Sequence, residues 1–79
     1  MRKQINFHQL EHTLHQLGFE EAWVNGSYVK FSNPEANALI VLSGYPKDQT
    51  VQIAHLRMIE KVLDEKGIIR REDFENLFQ

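Results

Sequence analysis

The chain has 79 residues, a formal net charge of −2 and no cysteine. A domain of this size buries only ~60% of the surface its unfolded chain exposes, so a large enclosed pocket is excluded and any site must be shallow, on loops or strand ends. The absence of thiols excludes disulfide staples and thiolate zinc sites, and the mildly acidic balance argues against strong non-specific binding of nucleic acid.

No apolar run approaches the ~20 residues of a membrane span. Met1 to Gln4 carry charge, but no apolar segment follows them as a signal peptide requires. The expectation is one domain over residues 1–79, cytoplasmic, with no membrane contact and no cofactor.

In chain order, a first helix is expected from about Ile5 to Leu17. Phe7, Leu10, Leu14 and Leu17 recur at helical spacing. Asn6 suits the N-cap, and Gly18 suits the left-handed residue that ends a helix. A strand should follow over Phe19 to Val24. Asn25-Gly26 is the strongest short hairpin signal, because both residues accept positive φ. Tyr28 to Phe31 is the return strand. Ser32 to Asn37 reads as a loop. The continuous apolar run Ala38 to Leu42 reads as a strand in the middle of the layer. Ser43 to Gln49, with Gly44, Pro46 and Asp48, reads as an ordered loop. A second helix should run from about Ile53 to Lys66, burying Leu56, Ile59 and Leu63, and end at Gly67. Glu72 to Phe78 reads as a short helix with Phe74, Leu77 and Phe78 inward. The expected fold is α+β: an α-β-β-β-α two-layer domain with a three-stranded antiparallel sheet and a short C-terminal helix.

Three groups of residues could carry chemistry. His8, His12 and His15 share one side of the first helix, nearly opposite its apolar stripe. Imidazoles at i and i+4 can chelate a metal, although a histidine-rich solvated face is the plainer reading. Asn25-Gly26-Ser27-Tyr28 is first of all a turn. A Ser27 nucleophile would need a base, and His55 supplies one only through tertiary contact. A phenol ordinarily ionises near ~10 and is a poor base at neutral pH. Ser43-Gly44-Tyr45-Pro46-Lys47 could line the same surface, with Tyr28 and Tyr45 as stacking platforms for bases. Alternatively Tyr45 packs on the sheet edge. The remaining basic residues are interleaved with acids, as on a solvated surface, with Arg57 and Lys61 one helical turn apart.

Taken together, Leu17-Gly18-Phe19, then Gly26-Ser27-Tyr28-Val29-Lys30-Phe31, then Leu39-Ile40-Val41-Leu42, a Gly-Tyr-Pro loop, Leu56-Arg57-Met58-Ile59 and a closing Gly67 resemble the HicA (YcfA-like) family of toxin–antitoxin systems. The resemblance spans nearly the whole chain. It implies a double-stranded-RNA-binding-like fold, metal-independent cleavage of messenger RNA and neutralisation by an antitoxin. The family's G-S-H motif carries its catalytic histidine, and that position is Tyr28 here. The family's P-x-H position falls at Tyr45. Histidine can take and give a proton near neutrality, and tyrosine does so poorly. The resemblance therefore implies a catalytically degenerate domain that binds RNA or an antitoxin-like protein. The alternatives are an active endoribonuclease using Ser27, Tyr28, Tyr45 and His55, and a protein-interaction module or homodimer with no RNA role. The candidate surface comprises Gly26, Ser27, Tyr28, Lys30, Tyr45, Lys47, His55 and Arg57.

Overall fold

The computed structural model describes residues 4–78; Met1, Arg2, Lys3 and Gln79, and with them most of the segment read against a signal peptide, lie outside the described residues. The first helix, α1, is Phe7–Gln16. Its start is closed by a capping box. Asn6 Oδ1 accepts the Gln9 N–H at 2.8 Å, and Gln9 Oε1 accepts the Asn6 N–H at 2.9 Å. The next donors are also taken. Phe7 N–H reaches the Gln49 carbonyl and His8 N–H the Lys47 carbonyl, both at 2.9 Å. The loop after the sheet is thus tied to the helix entry by groups that the helix leaves unpaired.

Strands β1 (Glu20–Val24), β2 (Tyr28–Asn33) and β3 (Ala38–Ser43) form an antiparallel sheet in the order β1-β2-β3. The turn between β1 and β2 has Asn25 at φ 54° and Gly26 at φ 67°, as their residue types favour. It is one residue longer than the expected two-residue turn: Ser27 lies inside it and donates to the Val24 carbonyl at 3.0 Å. Ser32 and Asn33, expected in a loop, extend β2. Asn33 can do so because its amide is satisfied: Nδ2 donates to the Leu17 carbonyl and Oδ1 accepts the Ala36 N–H, both at 3.3 Å. A short 3-10 turn, Pro34–Ala36, then leads into β3.

The apolar run that was expected mid-sheet is an edge strand. Two consecutive hairpins place the second strand in the centre, whatever the hydrophobicity of the third. Burial along β3 alternates, with Ala38, Ile40 and Leu42 inside and Leu39 and Val41 exposed. Helices therefore cover only one face of the sheet.

That covering layer is α1 with α2 (Ile53–Glu65) and α3 (Arg71–Phe74), followed by a 3-10 turn, Glu75–Phe78. Phe7, Leu10, Leu14, Val29, Phe31, Ile40, Leu56, Ile59, Leu63 and Phe74 form the core, each contributing roughly 1.5–3 kcal/mol when fully buried. Phe74 and Phe78 meet edge-to-face at 5.3 Å. Leu77, expected to face inward, is exposed at the rim, because the two phenylalanines occupy the inward side of that turn. Leu17 is only half-buried where the helix unwinds.

Gly44 is where backbone and ring approach most closely. A Cβ there would lie 2.7 Å from Trp23 Cζ3 and 3.2 Å from the Ser27 carbonyl oxygen. That carbonyl also accepts the Gly44 N–H at 3.0 Å, so the backbone cannot retreat cheaply. Gly44→Ala is expected to destabilise by about 1–3 kcal/mol through overpacking, measured by urea unfolding. An unchanged midpoint would mean that Trp23 has a second place for its ring.

Candidate functional site

The two tyrosines that the sequence places on one surface lie in different environments. Tyr45 is only 7% exposed. Its ring stacks on Phe7 at 5.7 Å with an interplanar angle of 16°. Its hydroxyl lies 2.5 Å from His55 Nδ1 and accepts the Gln52 N–H at 3.2 Å. Gln52 is the N-cap of α2 and makes no side-chain cap of its own, so the phenol supplies an acceptor to that helix start. Tyr45 is therefore a core residue that pins α2 to the loop, and it is no stacking platform for bases. The tertiary contact needed to bring a base to this region does exist, but His55 is spent on Tyr45 and not on Ser27.

Tyr28 stands on the uncovered face of the sheet, 38% exposed. The strand register arranges that face in three rows: Val24, Tyr28 and Ser43; Ala22, Lys30 and Val41; Glu20, Ser32 and Leu39. Its charged members are Lys30 and Glu20, and its exposed apolar members include Leu39 and Val41. Gly26 and Ser27 form the exposed hairpin tip above the Tyr28 row. Of the eight candidate residues, Gly26, Ser27, Tyr28 and Lys30 share this side, and Tyr45 and His55 form a separate buried pair.

Lys47 belongs to a third cluster that sequence reasoning did not find. Its Nζ lies 2.6 and 2.8 Å from the two carboxylate oxygens of Glu11 and 5.9 Å from the centre of the Phe7 ring. Glu11 is buried on α1 and shares a hydrogen bond with Glu21 on β1. Glu21 Oε1 lies 2.9 Å from His15 Nε2, and its Oε2 accepts the Trp23 indole N–H at 2.9 Å. Burial, then the hydrogen bond that its protonated form donates to Glu21, push the Glu11 carboxyl above its usual range despite Lys47. Burial also pushes Glu21 up, but the hydrogen bonds from Glu11 and Trp23 and the nearby His15 bring it below its usual range. The hydrogen bond to Glu11 holds the Lys47 ammonium above its ordinary value. Two carboxyls pushed apart in this way is an arrangement that acid–base sites use, and bracing networks use it too. Here both oxygens of each carboxyl are already occupied by the protein, so the network's role is to lock α1, β1 and the loop together.

A signal for this cluster is present in the sequence. Glu11 is four residues after Phe7 and inside the apolar stripe, and Glu21 is at an inward position of an alternating strand, between Phe19 and Trp23. His8, His12 and His15 line the groove above these carboxyls, together with Lys47, in a space of about 220 Å³. The carboxyls of Glu11 and Glu21 thus lie beside the histidine face. Even so, among the described residues no three His, Cys, Asp or Glu side chains are placed to hold a metal. Glu21 engages His15, and His8 and His12 lie on the exposed side of α1. Arg57 is set apart from every other candidate. It lines an open cleft on α2 with Glu60, Lys61 and Arg71, and Arg71 Nε lies 3.5 Å from a Glu60 oxygen.

No protein-family model, curated protein or solved structure matches the chain. Among the described residues no helix is long and apolar enough to cross a membrane.

Proposed function

We propose that the chain is a HicA-like domain that has given up RNA cleavage and binds a protein partner, of the antitoxin type, through the open face of its sheet. The observation that carries this reading is the condition of the two tyrosines at the positions where the resemblance puts histidines. Tyr45 is buried, with its hydroxyl committed to His55 and Gln52. Tyr28 is exposed, and no hydrogen bond to its hydroxyl occurs among the described residues, so no base is in place to take its proton. Neither residue offers a proton shuttle at the surface.

The composition of the open face favours protein over RNA. Leu39 and Val41 are 54% and 46% exposed, beside Tyr28 and the half-buried Val24. A phosphate backbone calls for several cations, and this face has only Lys30 to oppose Glu20. The α-β-β-β-α order accords with the double-stranded-RNA-binding-like fold that the resemblance implies. That fold does not require its usual chemistry to persist.

The test combines two measurements. Purified protein incubated with messenger RNA is expected to leave it intact. Co-expression with the product of the adjacent reading frame is expected to give a stable complex, which Tyr28→Asp on the open face weakens. Robust cleavage by the unmodified protein, abolished by His55→Ala without loss of folding, would overturn the proposal in favour of an active nuclease.

A further inference from the structure

We infer that two copies of this chain pair edge to edge through β3, joining their sheets into one six-stranded antiparallel sheet. The inference rests on the hydrogen-bond phase of the sheet and does not depend on the HicA-like reading. Gly44 N–H donates to the Ser27 carbonyl at 3.0 Å, so Ser27 and Gly44 are a hydrogen-bonded pair. In an antiparallel ladder such pairs alternate with non-bonded ones. With the observed register, Leu42, Ile40 and Ala38 therefore direct their N–H and C=O groups to β2. Leu39, Val41 and Ser43 direct theirs away from the sheet. Among the described residues no backbone hydrogen bond from a helix, loop or turn reaches these three.

An open edge of this kind is usually blunted by charge, proline or a bulge. β3 reads Ala-Leu-Ile-Val-Leu-Ser, has none of these, and its register with β2 is unbroken. The other edge, β1, contrasts with it. Glu20 and Glu21 lie there, so a second copy paired through β1 would bring like charges together.

A second copy fits the β3 edge because the strand is self-complementary in one register. A twofold axis through Val41, normal to the sheet, sets Val41 opposite its own copy and Leu39 opposite Ser43. Among the described residues the backbone groups of all three that face away from β2 are unpaired, so each opposed pair exchanges both N–H···O bonds. All three also project from the open face. Leu39 and Val41, the most exposed large apolar residues of the sheet, then flank the twofold and cover part of each other's surface. A shift of one residue would set outward side chains against inward ones, so the register is constrained.

The test uses the full chain in analytical ultracentrifugation from micromolar to near-millimolar protein. A monomer–dimer equilibrium is expected, with amide exchange at Leu39, Val41 and Ser43 slowing as concentration rises. Val41→Pro removes an edge N–H while sparing every bond to β2, a position where proline is tolerated, and is expected to abolish the dimer. Val41→Lys, which keeps the N–H but opposes two ammonium groups across the axis, is expected to weaken it by about tenfold or more. Circular dichroism checks that both variants fold. A strictly monomeric native chain, or a dimer that survives both substitutions, would overturn the inference.

Discussion

Phe7→Ala is expected to cost about 3–5 kcal/mol, a large share of the roughly 4–12 kcal/mol available to a domain this small. Phe7 is fully buried and is the hub on which three parts of the molecule meet. Trp23 of β1 meets it edge-to-face at 6.0 Å, Phe31 of β2 lies at 6.3 Å, and Tyr45 of the loop stacks on it at 5.7 Å. Lys47 Nζ sits over the same ring. Deleting the ring removes its transfer energy and leaves a cavity under Tyr45, which cannot follow while its hydroxyl is held by His55 and Gln52. Phe7→Leu keeps most of the volume and is expected to cost under about 1.5 kcal/mol plus the lost aromatic pairing. Urea unfolding of the two variants reads the difference. A Phe7→Ala shift below about 1 kcal/mol would show that the loop collapses into the space.

The second expected effect is in the pH dependence of stability. The folded-state carboxyl of Glu11 is raised above its ordinary 4.5. Between 4.5 and that raised value the folded chain keeps a proton that the unfolded chain has lost, so stability falls as pH rises through the window. Glu21 is lowered. Its contribution is present above 4.5 and is lost as pH falls towards its folded value. The two are coupled, so their joint contribution declines as pH rises above 4.5 through Glu11 and as pH falls below 4.5 through Glu21. Lys47 is the group that pulls Glu11 down. Lys47→Met keeps an apolar stem over Phe7 but removes the cation, so the Glu11 carboxyl rises further and the declining limb extends upward. The variant is expected to match the native chain near pH 4.5 and to fall progressively below it towards neutrality. Glu11→Gln, a neutral amide in the same place, is expected to remove the declining limb. Thermal unfolding across the acid-to-neutral range measures all three proteins. A gap between native and Lys47→Met that does not change with pH would show that Lys47 acts by packing alone.

Much of the local structure could be read along the chain because it depends on neighbours in sequence. Asn6 caps α1 and Asn25-Gly26 turns the chain, for reasons contained within four residues. The apolar spacing of α1 and α2 is likewise local. The misplaced features were set by partners far along the chain. Asn33 reads as a loop residue until its amide meets Leu17 and Ala36. Leu77 reads as inward until Phe74 and Phe78 have filled that side. The candidate surface divided for the same reason. Tyr28 and Tyr45 look equivalent as aromatic residues beside turns, but they part company at one end of β3: Tyr28 pairs with Ser43, the last residue of that strand, on the open face, whereas the loop that follows carries Tyr45 onto Phe7 of α1.

The amino-acid sequence by itself determined an α+β domain with three strands, the capping of its first helix by Asn6 and the turn at Asn25-Gly26. These follow from short-range sterics, capping and periodicity, which act wherever the chain goes. Only the tertiary structure decided that β3 is an open edge, that Tyr45 is buried on Phe7 and that Glu11, Glu21 and Lys47 form one network. Burial and carboxyl protonation depend on which distant groups come to lie within a few ångströms, and no local spacing specifies that.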